Sequence, residues 1–146
     1  MSGLELARRC AEAMYAADEA SRNLGIEIAV ERPGSATARV EVRPSMVNGF
    51  GICHGGYVFT LADTAFAFAC NAYDRASFAA AASIEFLRPA RLGDRLLAQA
   101  SERWRGGRSG VYDVTVSNQE GETVAIFRGR SYATEKPVLT GESGKK

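Results

Sequence analysis

Tyr57-Val58-Phe59-Thr60-Leu61-Ala62-Asp63-Thr64-Ala65-Phe66-Ala67-Phe68-Ala69-Cys70-Asn71-Ala72 is apolar almost all round and holds neither glycine nor proline. It is too long for an ordinary strand and reads as a buried helix. Gly49, Gly51, Gly55 and Gly56 crowd its approach. Beyond it come β-rich runs at 82–87, 95–104, 111–118 and 123–133. Turn-forming stretches at 91–94, 106–108 and 119–122 separate them, the pattern of an antiparallel meander. Ahead of the helix, Ile26, Ile28 and Val30 alternate with polar neighbours. Pro33-Gly34-Ser35 turns the chain and 37–42 alternates again, which predicts a hairpin. Leu4, Leu6, Ala7, Ala11, Met14 and Tyr15 recur at near-helical spacing up to Ala20, and Asn23 and Gly25 follow as stop signals. The expectation is one α+β domain over 1–134: five or six antiparallel strands around the central helix, plus an N-terminal helix. Residues 135–146 form a polar tail, expected to be disordered unless a partner holds it.

The bulk properties exclude several classes. The chain has 146 residues, 46% hydrophobic and 24% charged, the balance of an ordinary soluble domain. Its net charge of +1 offers no general field for nucleic acid, and its arginines lack interleaved aromatic platforms. Charged residues interrupt the first twenty positions, so neither a signal peptide nor a membrane span is expected there. Three cysteines, Cys10, Cys53 and Cys70, without disulfide-framework or metal spacing fit reduced thiols and a cytoplasmic location. Only three of the eighteen cations are lysine, a weak pointer to phosphate recognition that genomic base composition also explains.

Asp63 is the only carboxylate in the central helix, and leaving it buried and unpaired would cost several kcal/mol. It must reach solvent, find donors or sit in a cleft. Gly55 and Gly56 precede the helix and let amides at its positive end approach a ligand closely, although a glycine pair also serves simply to turn a loop into a helix. Asp63 lies eight residues beyond Gly55, roughly 12 Å along the same helix at about 1.5 Å per residue. One chain therefore cannot bring both to one small carbonyl. Two such helices lying antiparallel across a dimer would bring each Asp63 to its twin's glycine pair.

His54 is the only histidine, which rules out zinc sites built on two or three histidines. There is no G-x-S-x-G elbow, and the glycines match neither phosphate-loop nor dinucleotide patterns. His54 either anchors the glycine loop by hydrogen bonds or touches substrate.

In order and spacing, Asn48-Gly49, Cys53-His54-Gly55-Gly56, Leu61-Ala62-Asp63-Thr64-Ala65 and Phe86-Leu87-Arg88-Pro89 resemble the hotdog-fold thioesterases of phenylacetate degradation. The resemblance runs from about Leu4 to Ala133. It implies a sheet wrapped round the helix, homodimers and usually homotetramers, and hydrolysis of phenylacetyl-type and related acyl-CoA thioesters. It implies no metal or redox cofactor, coenzyme A entering only with the substrate. By resemblance Asp63 is general base or nucleophile, the Gly55 amide with Asn48 holds the thioester oxygen, and His54 supports the loop. Gly56, Phe59 and Pro89 are expected to contact substrate. Relatives often carry a hydroxyl one turn after the acid, where this chain has Ala67, so Thr64 or Ser83 is expected to orient water. Arg88, the Arg108-Ser109-Gly110 turn and Arg128 are candidates for the CoA phosphates. Two rival readings share this fold: an acyl-thioester hydratase or dehydratase with His54 as base, and an acyl-CoA binding module without turnover.

Overall fold

The computed structural model describes residues 1–139. In chain order the elements are α1 (Gly3–Ala17), α2 (Glu19–Leu24), β1 (Glu27–Arg32), β2 (Ser35–Glu41), a 3-10 turn (Pro44–Met46), α3 (Gly55–Cys70), β3 (Ser77–Phe86), β4 (Arg95–Gly106), β5 (Ser109–Ser117) and β6 (Thr123–Ala133). The strands form one antiparallel sheet in the order β1-β2-β4-β5-β6-β3. The sheet curls round α3, which gives the α+β hotdog architecture.

Alternation along the strands separates two faces. Ala98, Val114, Val116, Ala125 and Phe127 are buried against α3, whose Leu61, Ala62, Ala65, Phe66 and Ala69 are almost wholly covered. Gly129 is part of this fit, because a Cβ there would stand 2.9 Å from the Phe66 ring. The outer face carries Ile126, Arg128, Arg130 and Tyr132 of β6.

Helix boundaries differ from the sequence reading by a turn or less. α3 begins at Gly55 because His54 caps it, its Nδ1 accepting the Gly56 N–H at 2.9 Å. It stops at Cys70 because the Asn71 amide turns away to bridge the Ala67 carbonyl and both backbone groups of Ser77. At the N-terminus, Asp18 breaks the expected continuous helix and caps α2 through the Ser21 N–H and hydroxyl. β3 begins at Ser77, well ahead of the expected 82, since a run of four alanines carries no alternation to betray a strand.

The two sheet edges are unlike. On β1, α1 and the α2 turn occupy the outward groups: Tyr15 donates to the Ile26 carbonyl at 2.6 Å and Arg8 to the Val30 carbonyl at 3.0 Å. The Ile26 N–H in turn donates to Ser21. β3 has no such cover, and eight of its ten residues are exposed. Within the expected polar tail, the Lys136 carbonyl accepts from Ala76 and the Leu139 N–H donates to Asp74, while the rest of that tail, 140–146, lies outside the described residues. Among the described residues, no helix is long and apolar enough to cross a membrane.

Candidate active site

The loop before α3 is tied by its own asparagine. The Asn48 Oδ1 accepts from the Phe50 and Ile52 N–H groups at 2.9 and 3.3 Å, and the Asn48 backbone pairs with Ile52 and Gly51. Gly51 permits this turn with a φ of 79°. With its oxygen held by the loop, the carboxamide has only its Nδ2 donor left to offer a ligand. Asn48 and Gly55 line one cleft of about 320 Å³, together with Val58, Phe86, Arg88 and Pro89.

Gly55 and Gly56 separate in role. The Gly56 N–H is consumed by His54, so Gly56 has no amide to give a substrate. The Gly55 N–H stands at the first position of α3 and donates to no group among the described residues. It lies at the positive end of sixteen helical residues, where a negative oxygen is favoured. Because it caps through Nδ1, the His54 ring is a loop anchor with that nitrogen unprotonated and engaged.

Asp63 projects from the incompletely covered stripe of α3, in line with Gly56, Thr60 and Ala67. Among the described residues its carboxylate accepts no hydrogen bond and pairs with no cation. Its oxygens are nonetheless not sealed from solvent, since no unpartnered side-chain polar atom is fully buried. Partial burial pushes its carboxyl above the ordinary aspartate value. Asp63 does not line the Gly55 cleft of its own chain, as the helical spacing requires.

Several expected contacts fall elsewhere. Thr64 is buried and its hydroxyl donates to the Thr60 carbonyl at 2.6 Å, which leaves it no proton for orienting water at Asp63. Ser83 pairs in register with Arg128 and therefore shares the outer face of the sheet, away from α3. Phe59 stacks edge-on against Phe127 at 5.4 Å, a core contact. Arg128 is held by Asp113 in a bidentate pair at 2.6 and 2.9 Å.

The Arg108-Ser109-Gly110 turn borders Cys70 and Tyr73, at the opposite end of α3 from Gly55. Arg108 is engaged by Glu135 and the Ala133 carbonyl. Gly110 is explained by packing, since a Cβ there would stand 2.8 Å from the Tyr112 ring. Arg88 does border the cleft, held loosely by Glu122 at 3.5 Å. Phe86, which sequence reasoning passed over as part of a motif, has its ring tip 3.3 Å from where a Gly55 Cβ would be. Only strand parity, with Phe86 opposite the buried Ala125, carried a sign of this. No three His, Cys, Asp or Glu side chains gather as a metal site among the described residues.

A helix start with a free amide, with an unpaired acid about two turns further along the same helix, is an arrangement suited to acyl-thioester hydrolysis. The chain belongs to the thioesterase superfamily, whose family model matches residues 50–125. It is 46% identical to the Escherichia coli acyl-coenzyme A thioesterase PaaI over 133 residues, covering 91% of this chain and 94% of that protein. The solved E. coli PaaI structure, from the phenylacetic acid degradation operon, superposes with a TM-score of 0.91 at 44% identity, over 93% of this chain and 99% of that one. A hypothetical thioesterase from Streptococcus pneumoniae, solved with coenzyme A, matches with a TM-score of 0.72 at 29% identity, over 76% and 90% of the two chains. The protein is thus a thioester hydrolase, and the hydratase and binding-only readings lose their footing.

Proposed function

We propose that this enzyme hydrolyses aryl or medium-chain acyl-CoA thioesters of the phenylacetyl-CoA type, in the cytoplasm, with two composite sites per homodimer. The observation that carries the proposal is a half-buried, unpaired Asp63 on the same helix as an unused Gly55 amide, too far along it to share a carbonyl within one chain. The exposed β3 edge is where a second copy can pair, since the opposite edge is already occupied by α1 side chains. Antiparallel pairing there brings Asp63 towards Gly55 of the partner subunit, and the outer sheet face remains for dimers to join into a homotetramer. The PaaI relative's name and the S. pneumoniae structure's coenzyme A support the substrate class.

In this reading the Gly55 N–H and the Asn48 Nδ2 hold the thioester oxygen, and Asp63 takes a proton from water as it attacks the carbonyl carbon. Negative charge moves onto the held oxygen. The tetrahedral species then collapses with expulsion of the CoA thiolate, a good leaving group, and the acid proton of Asp63 is returned to solvent or sulfur. No cofactor is needed beyond the coenzyme A of the substrate. Arg88, which lines the same cleft, would meet the CoA phosphates. The test is thiol release from a panel of benzoyl-, phenylacetyl-, hydroxyphenylacetyl- and medium-chain CoA thioesters. Asp63→Asn should lower kcat by about 100-fold or more, and normal release from that variant refutes the assignment.

A further inference from the structure

We infer that Phe86 is a substrate-positioning residue whose ring walls the Gly55 amide and presses the thioester carbonyl towards it; this rests on the thioesterase reading of Gly55. Three observations converge on it. The ring reaches to 3.3 Å (Cζ) and 3.4 Å (Cε1) of the point a Gly55 Cβ would occupy, so a side chain at Gly55 would push the ring back by a few tenths of an ångström. Phe86 stands opposite Ala125, which turns it to the helix side of the sheet, yet it remains 55% exposed at the cleft. It also lines the same cleft as the donor pair, Gly55 and Asn48, and the cation Arg88.

An N–H donor stabilises a developing oxyanion more strongly when water is kept from it. An aromatic ring against Gly55 supplies that exclusion and gives the atoms beside the carbonyl a surface to rest on. Phe59, tied to Phe127 in the core, does not compete for this role.

Thiol release by the full-length enzyme, with phenylacetyl-CoA and hexanoyl-CoA, tests the inference. Phe86→Ala should lower kcat about tenfold or more on both substrates while KM changes less than about threefold, and Phe86→Leu should stay within about threefold of the parent. Gly55→Ala pushes a methyl into the ring, so adding Phe86→Leu should recover part of its loss, a coupling that independent roles would not show. Light scattering should give the parent's size throughout.

Parental kinetics in Phe86→Ala, a loss confined to one acyl group, dissociation accompanying the loss, or independent effects of Gly55→Ala and Phe86→Leu would each overturn it. Asp63→Asn in the same assay separates the two ideas. If that variant is silent while Phe86→Ala is normal, only the Phe86 inference falls; if it turns over normally, the underlying reading falls.

Discussion

Asp63 is held on the helix at the expense of stability. Burial raises its folded pKa above the ordinary value of 3.8, so folding favours the protonated acid. Below the unfolded pKa both states carry the proton. As pH rises from there through the folded pKa, stability falls, and above it the full desolvation cost persists. Asp63→Asn should therefore melt at a higher temperature than the parent near pH 7, with the gap closing as pH is lowered through that window, as calorimetry across pH will show. A base must be ionised, so kcat/KM should fall on the acid side with an apparent pKa above that of an ordinary aspartate. Agreement between the two titrations ties stability and catalysis to one carboxyl. At this scale the sequence was informative about Asp63, because the one charged residue on a helix with no polar face is anomalous wherever it stands. It was poor for Thr64 and Ser83, whose usefulness depends on which way a helix turn and a strand pleat happen to face.

In the proposed mechanism α3 carries both Gly55 and Asp63, and its first turn is capped by His54. His54→Ala removes the cap and should cost about 1 kcal/mol in denaturant unfolding. His54→Asn, which also caps well, should recover most of the stability and keep thiol release. Loss of turnover in a stable His54→Asn variant would give the imidazole a chemical part beyond the cap. The helix itself was legible because sixteen nearly unbroken apolar residues admit few alternatives. Its start was misplaced by two residues, since Gly55 and Gly56 read as loop until a histidine side chain is seen to cap them. The early part of β3 was hidden for a related reason: an alanine run on an exposed edge has no inside or outside to alternate between.

At the scale of the whole molecule, the sheet leaves one edge guarded and one free. Ala81 stands near the middle of the free strand, in register with Arg130 on the outer face. Ala81→Lys places like charges close together across a β3-to-β3 pairing and should weaken the dimer. Thiol release should then depend on protein concentration, recovering as concentration rises, with light scattering following the same transition. The fold class and strand count were accessible from periodicity and turn signals, and the resemblance sharpened them to a hotdog. How firmly each candidate arginine is held was not accessible, because Arg108 and Arg128 look as available as Arg88 until Glu135 and Asp113 are found close beside them and Glu122 only loosely beside Arg88.

The claim that the site is shared between subunits can be measured by mixing two silent variants. Asp63→Asn lacks the acid. Gly55→Pro lacks the amide while keeping the helix, since proline suits its first position and His54 already has an extended backbone at φ −59° and ψ 134°. After subunit exchange, half the dimers are mixed and each holds one intact site, so about a quarter of parental thiol release should return. A mixture as silent as its two components, with exchange verified by mass, would contradict the account.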